Sequence, residues 1–147
     1  MDEWMHIAAE EGVKFFLTSL GKPDRIVAFA REKGIKIYHD VHTPRVAEKV
    51  AASGVDGLIC LNDAMGGQTG NRSAKTFAEE LRGIDLPLIQ AGAVADGADL
   101  RRALDLGYAG ASVGTRFLAT HEAQVTQSYK DAIVAATGDD MSHIHIT

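Results

Sequence analysis

A recurring pattern of helix, glycine and short apolar run constrains the fold of this 147-residue chain more than any other feature. A glycine separates a helical segment from a β-branched or apolar run at Gly12, Gly34, Gly54 and Gly107, with a looser case at Gly83. Glycine just past a helix supplies the left-handed residue that ends the helix at low cost. Each of these glycines therefore predicts a helix end, and the run after it predicts a strand.

The five runs that follow these helix ends are nearly continuous in apolar residues, which is typical of strands covered on both faces. The predicted strands span residues 13–18, 35–41, 55–61, 86–90 and 109–113. Their alternation with helices predicts an α/β fold with a parallel sheet. A spacing of about 20 to 30 residues fits both an open doubly wound sheet and a (β/α) barrel, so periodicity leaves these two architectures open.

Three helix starts carry residues that favour N-caps. Thr43 precedes Pro44, which suits a cap followed by proline at the first helical position. Asp96, with an aspartate three residues later, resembles a capping box. Thr120 is predicted to open the last helix in the same way.

Composition indicates a soluble globular protein, with 46% apolar and 24% charged residues. The formal net charge of -5 argues against a nucleic-acid partner and against attraction to anionic membranes. No apolar run approaches the roughly 20 residues of a membrane span. The single cysteine, Cys60, cannot form an internal disulfide, which favours a cytoplasmic location. Cys60 lies in the apolar run 57–61 and is predicted to be a buried small hydrophobe.

Functional residues are expected in the strand-to-helix loops, where parallel α/β folds bind their ligands. The glycine-rich loop 62–73 offers backbone N–H groups to an anion or a planar ring. Gly92 and Gly114 allow close approach to a ligand, and Thr115 adds a hydroxyl donor. Their loops follow the last two predicted strands, which predicts a phosphate site. Arg116 is a candidate phosphate partner or a salt-bridged surface residue.

The histidines do not define a metal site by their spacing. His39 and Asp40 are adjacent in a strand and point to opposite faces, so His39 is interpreted as a satisfied polar residue and His42 as a loop residue. His143 and His145 alternate in a final segment expected to be frayed, and two ligands alone do not make a metal site.

Three segments in this order and spacing resemble the nitronate monooxygenase family, formerly called 2-nitropropane dioxygenase. They are residues 61–68, 86–97 and 107–120, and the likeness extends from about residue 13 to residue 130. The resemblance implies an FMN-dependent TIM barrel that oxidises alkyl nitronates with oxygen. A related enzyme is the FMN-dependent enoyl-acyl-carrier-protein reductase.

The same resemblance implies which residues hold FMN. The phosphate would lie against Gly92, Ala93, Gly114 and Thr115, with Ser112 and Val113 along the same edge and Gly66 and Gly67 near the flavin ring.

Two positions depart from the family pattern. Gln68 occupies the place of the family histidine that takes a proton from a neutral nitroalkane, and an amide cannot do so. An active site with Gln68 is therefore expected to use anionic nitronates or another substrate. Ala93 replaces the second family glycine, and its methyl group requires an ordinary negative φ.

The number of strands is the larger departure, since a complete barrel has eight strand–helix units. The five predicted strands match the family's fourth to eighth, so residues 1–147 are expected to form a partial barrel from a longer gene product. Alternatively, a second copy covers the open sheet edges. Two non-oxidoreductase alternatives also remain open: a half-barrel that holds a phosphorylated ligand without turnover, and a phosphate-binding barrel isomerase or synthase.

Overall fold

The computed structural model describes residues 2–137 and residue 140. Contacts divide the chain into two units, Met1–Ser112 and Val113–Thr147. The elements of the first unit are α1 (Asp2–Glu10), β1 (Phe15–Thr18), α2 (Asp24–Lys33), β2 (Lys36–Val41), α3 (Pro44–Ala52), β3 (Gly57–Leu61), α4 (Ala74–Glu80), β4 (Leu88–Ala91), α5 (Gly97–Asp105) and β5 (Gly110–Ser112). The second unit contains α6 (Thr115–Leu118) and α7 (Gln127–Ala135).

The five strands form one parallel sheet in the order β1-β2-β3-β4-β5. Each strand therefore lies beside the next strand of the sequence, with a helix in every crossover. A doubly wound sheet would reverse its strand order at a switch point, whereas a (β/α) barrel keeps it sequential. The structure thus resolves the two architectures left open by the sequence in favour of a partial (β/α) barrel.

All five predicted strands are present, and no strand end differs from its predicted position by more than two residues. Gly83, the looser case, has no positive φ, whereas the other four predicted helix-ending glycines have the expected backbone conformation. Their φ values are +83° at Gly12, +65° at Gly34, +83° at Gly54 and +97° at Gly107. These local signals are confirmed because each depends on one residue and its immediate neighbours.

Two of the three predicted N-caps are confirmed. Thr43 accepts a hydrogen bond from the Val46 N–H at 3.3 Å, and Asp96 forms a reciprocal capping box with Asp99. The prediction for Thr120 is wrong: its hydroxyl donates to the Phe117 carbonyl at 3.0 Å, and the last helix is capped by Thr126. Thr120 thus serves the end of α6 and not the beginning of α7.

The sheet has two different faces. The helix-side face packs Ile37, Val41, Leu58, Cys60 and Leu88 against the helices and forms the main core. The opposite face, here called the inner face, carries a smaller cluster of Ile59, Leu61 and Ala91, with partly buried Tyr38, Met65 and Ile89 packed against it. The main core packs the strands against the helices, and the inner face is available for other contacts.

Burial falls sharply at both ends of the sheet, contrary to the expectation that every strand is covered on both faces. All residues of β3 are buried, whereas β1 alternates between exposed and half-buried residues and β5 has no buried residue. On β1 the exposed fraction of Phe15 is 47% and that of Leu17 is 61%. The cause is topological, since β1 pairs only with β2 and β5 only with β4 in the described part of the chain.

In the second unit, the ammonium group of Lys130 on α7 donates to the Thr120 carbonyl at 2.7 Å, just beyond the end of α6. Among the described residues of the whole chain, no helix is long and apolar enough to cross a membrane. The predictions for His143 and His145 fall outside the described residues.

Candidate functional site

The glycine-rich loop that follows β3 is closed at its base by Asn62. The Asn62 carbonyl accepts from the Gly70 N–H at 3.1 Å, and the Asp63 N–H donates to the Arg72 carbonyl at 2.9 Å. The Asn62 backbone N–H also donates to the Ala91 carbonyl of β4 at 3.1 Å. The base of this loop is therefore attached to the end of the neighbouring strand.

Two buried amide side chains converge on the carbonyl of Gly92, in the loop after β4. Asn62 Nδ2 donates to this oxygen at 3.0 Å, and Gln90 Nε2 donates to it at 2.9 Å. Asn62 also accepts from the Ala64 N–H through Oδ1 at 2.9 Å, so its amide joins the loops after β3 and β4. Asn62 is 1% exposed and Gln90 is 5% exposed, so neither amide exchanges these bonds for water freely.

The backbone at Gly92 requires glycine. Its φ is +109°, and a Cβ atom there would overlap Asn62 Oδ1 and lie 2.7 Å from the Met65 backbone nitrogen. The near atoms at Gly92 therefore belong to the protein's own Asn62 and Met65, and the predicted close approach of a ligand stays a prediction.

Ala93 corrects the expectation of a negative φ at this position. Its φ is +54°, in the left-handed region that a Cβ atom disfavours by about 1 to 2 kcal/mol. The hydrogen bonds from the Asn62 and Gln90 side-chain amides to the Gly92 carbonyl hold the peptide that precedes Ala93. The strained φ at Ala93 is part of that arrangement.

Replacing Ala93 by glycine is expected to raise the free energy of unfolding by about 0.5 to 1 kcal/mol. The gain is the relieved left-handed strain less the extra backbone entropy of glycine in the unfolded chain. Urea unfolding followed by circular dichroism measures it. Ala95→Gly is a control with no positive φ to relieve, and it should be neutral or destabilising. If Ala93→Gly lowers the free energy of unfolding as much as Ala95→Gly does, or more, the backbone at Ala93 is not strained.

The turn at Gly92 and Ala93 presents donors suited to an anion. Among the described residues, no hydrogen bond links the N–H of Ala93 or Val94 to a protein acceptor. Ala93 is exposed and Val94 is half-buried. A phosphate accepts hydrogen bonds only, so these N–H groups fit the phosphate of a cofactor such as FMN. The side-chain oxygen of Gln90, Oε1, is also without a hydrogen-bond partner among the described residues, and it is buried.

The loop after β3 covers part of the inner face. Met65 packs against the cluster of Ile59, Leu61 and Ala91, and the next three residues, Gly66, Gly67 and Gln68, are exposed. Gly67 has a φ of +91°, and a Cβ atom there would meet nothing within 4 Å. This stretch of backbone is therefore open to a flat ligand, and Gln68 presents its amide to solvent beside it.

The remaining predicted site residues lie at or beyond the end of β5. Ser112, the last residue of β5, is exposed and pairs in register with Ala91, so β4 and β5 end at the same edge of the sheet. In the second unit, Val113 is half-buried and Gly114 and Thr115 are exposed at the start of α6. Their proposed contact with phosphate stays a prediction.

Two residues with reactive side chains are excluded from the site by their surroundings. His39 is 2% exposed, lies on the helix-side face, and its Nδ1 is 2.7 Å from the Thr18 hydroxyl, while burial lowers its pKa. Cys60 is fully buried, and burial raises the pKa of its thiol to about 12, so it is not a nucleophile at neutral pH. His39 and Cys60 are thus the structural residues that the sequence predicted.

Asn62 and Gln90 are the functional residues whose roles were not predicted from the sequence. Both stand at the ends of predicted strands, where a polar side chain after an apolar run is a signal. Their common acceptor, the Gly92 carbonyl, lies 30 residues from Asn62, so the contact depends on how β3 and β4 pair. No group of three or more potential metal ligands occurs in the part of the chain that the structure describes.

A parallel sheet in sequential order, with a clamped glycine turn at its C-terminal edge and an open glycine loop beside it, places this chain in the (β/α) barrel class. The model of the nitronate monooxygenase family matches residues 2–145. The chain belongs to the nitronate monooxygenase family, whose members are flavin-dependent oxidoreductases.

Relatives and solved structures agree with this assignment. The chain is 32% identical over 126 residues to a (3aS,4S,5R,7aS)-5-hydroxy-7a-methyl-1-oxo-octahydro-1H-indene-4-carboxyl-CoA dehydrogenase of Rhodococcus jostii, which covers 85% of this chain and 36% of the relative. It is 29% identical to a nitronate monooxygenase of Paraburkholderia phytofirmans, over 74% of this chain and 32% of the relative.

Among solved structures, FabK from Thermotoga maritima superimposes with a TM-score of 0.84 at 30% identity, covering 92% of this chain and 44% of FabK. A nitroalkane oxidase from Streptomyces ansochromogenes gives a TM-score of 0.82 at 25% identity, covering 89% of this chain and 42% of that protein. The chain thus spans less than half the length of the relatives it matches.

Proposed function

We propose that this chain provides the phosphate- and ring-binding part of an FMN-dependent oxidoreductase that acts on small nitronates. When bound, FMN would supply the electron transfer. The N–H groups of Ala93 and Val94 would hold its phosphate, and the backbone at Gly66 and Gly67 would lie near its ring. Ser112, Val113, Gly114 and Thr115 are proposed as further phosphate contacts from the family resemblance.

The observation that carries this proposal is the turn at Gly92 and Ala93. Its carbonyl is held by the Asn62 and Gln90 amides at 3.0 and 2.9 Å, while the following N–H groups remain without protein acceptors among the described residues. The strained φ of +54° at Ala93 fits a turn shaped for a ligand.

The side chain at position 68 sets the expected substrate form. Gln68 is exposed beside the open glycine backbone and can only donate or accept hydrogen bonds. We therefore propose that Gln68 orients an anionic nitronate through its amide N–H and takes no proton.

A dehydrogenase or reductase acting on an acyl thioester is the second candidate. The observation that favours it is the name shared by two relatives at 32% and 31% identity, both carboxyl-CoA dehydrogenases, together with the likeness to FabK, an enoyl-acyl-carrier-protein reductase. A half-barrel that holds FMN without turnover is the non-catalytic alternative. These alternatives are distinguished by the substrate that is consumed.

The test is flavin binding followed by turnover. We expect the purified chain to retain FMN through gel filtration with its visible absorption bands, and to consume ethyl nitronate in the presence of oxygen. Free riboflavin, which lacks the phosphate, is the matched control ligand and should bind at least about tenfold more weakly. No flavin binding by a folded chain sinks the proposal. Flavin binding with acyl-thioester turnover and no nitronate turnover favours the second candidate.

We also propose that the open edges of β1 and β5 are covered in the working protein. Exposed apolar residues on β1, with Leu17 at 61% exposure, support this proposal. The cover is either further strands of a longer polypeptide or a second copy of this chain. Light scattering coupled to gel filtration reports the copy number.

A further inference from the structure

We propose that the Asp40 carboxylate, on the inner face of β2, is the proton acceptor for neutral carbon acids at this site. The inference rests on the proposed function, and it assigns to Asp40 the step that Gln68 cannot perform.

The inner face carries few titratable side chains in the described strands. Side chains alternate along a strand, so Asp40 shares the face of Tyr38, two residues earlier. The remaining charged residue of that face, Lys36, stands at the opposite end of β2 and pairs with Asp56 at 2.6 Å. Asp40 is thus the one carboxylate that the described strands place on this face.

Asp40 stands at the end of the sheet where the glycine loops begin. It pairs in register with Ile59, and the cluster around Ile59 is the one against which Met65 packs. Met65 immediately precedes Gly66, Gly67 and Gln68. The face of Asp40 is therefore the face that the proposed ring-binding loop covers.

The Asp40 carboxylate forms no hydrogen bond or ion pair in the described part of the chain, and its charge interacts with the adjacent His39. Asp40 is half-buried. Ile59, which pairs with Asp40 on β3, carries no charge, and β1 ends at Thr18, which pairs with the preceding residue, His39. A partly exposed carboxylate without a hydrogen-bond partner is available to accept a proton from a bound substrate.

The step is a simple proton transfer. The C–H bond next to the nitro group breaks, the proton passes to a carboxylate oxygen of Asp40, and the electron pair remains on the substrate as a nitronate. The other titratable groups near Asp40 are the buried His39 beside it, Tyr38 on the same face, and the exposed His42 and Asp63 in the loops after β2 and β3. They are the residues against which Asp40 must be compared.

The deciding experiment measures hydrogen–deuterium exchange at the α-carbon of nitroethane in D2O by NMR, with the FMN-loaded chain. We expect the wild type to accelerate exchange, and Asp40→Asn to reduce the acceleration by about 100-fold, in the range of a lost general base. Asp63→Asn and His42→Gln should remain within about threefold of the wild type, and Asp40→Glu should restore part of the rate. FMN affinity and circular dichroism should be unchanged in Asp40→Asn.

Each result bears on the proposal. Exchange that is not accelerated by the wild type, or that persists in Asp40→Asn, overturns the role of Asp40. Consumption of preformed ethyl nitronate by the wild type is measured separately, because that substrate needs no deprotonation. A wild type that exchanges protons through Asp40 and does not oxidise the nitronate would retain Asp40 and defeat the proposed function instead.

Discussion

Gly92→Ala is expected to lower the free energy of unfolding by about 2 to 5 kcal/mol, the sum of a left-handed backbone penalty and overpacking against buried neighbours. The methyl group would overlap Asn62 Oδ1 and lie 2.7 Å from the Met65 nitrogen, at a φ of +109°. Asn62 cannot yield easily, because its amide is bonded to the Gly92 carbonyl and to the Ala64 N–H. Urea denaturation followed by circular dichroism measures the loss.

Gly97→Ala is the matched control for this substitution. Gly97 opens α5 in the same loop, has no positive φ, and a Cβ atom there would meet nothing within 4 Å. Its free energy of unfolding should be unchanged or raised by less than about 1 kcal/mol, since alanine favours helices. A Gly92→Ala protein as stable as Gly97→Ala would show that the turn does not have the conformation described. FMN affinity is expected to fall at least about tenfold in any Gly92→Ala protein that remains folded.

Much of the fold could be predicted because its signals are local. Gly12, Gly34, Gly54 and Gly107 each end a helix with a positive φ, and that requirement is met by one residue without reference to distant contacts. The strands were recognisable from continuous apolar runs for a similar reason. The sequence did not predict which strands pair. The observed strand order distinguishes a barrel from a doubly wound sheet.

Errors in the prediction occurred where several local solutions compete. Thr120 and Thr126 are both plausible caps, and only Thr126 accepts a hydrogen bond from the third residue of the following helix, at 3.4 Å from Tyr129. Ala93 was expected at a negative φ because that is the usual state of alanine. The structure shows +54° where the preceding carbonyl is held by Gln90 and by Asn62, and Asn62 is 30 residues away in the sequence.

The sequence therefore predicted the loops of the candidate site but not the hydrogen bonds that link these loops. Gly66, Gly67 and Gly92 could be selected from their positions after predicted strands. The role of Asn62 depends on the register in which Leu61 pairs with Ala91, which brings the ends of β3 and β4 together. A one-residue change in that register would place the amide on the other face of the sheet.

Asn62→Ala is expected to lower the free energy of unfolding by about 2 to 4 kcal/mol, because it removes a buried amide and leaves the Ala64 N–H without its acceptor. The affinity for FMN should also fall, because the Asn62 side chain no longer links the loops after β3 and β4. Asn71→Ala, at an exposed asparagine of the same loop, is the control and should change stability by less than about 0.5 kcal/mol. Equal effects of the two substitutions would argue against a clamp at Asn62.

Asn62→Asp separates the lost hydrogen bond from lost packing, because aspartate keeps the shape of asparagine. An ionised carboxylate would face the Gly92 carbonyl without a donor, so burial and this contact should raise the pKa of the introduced group in the folded state. When the folded-state pKa is raised, the associated stability is present at low pH and is lost as the pH rises through that pKa. The deficit of Asn62→Asp relative to wild type should thus be smaller near pH 4.5 than at pH 7.5, where Asn62→Ala should show no such dependence. A deficit independent of pH would mean that the Nδ2 hydrogen bond to Gly92 does not hold the turn.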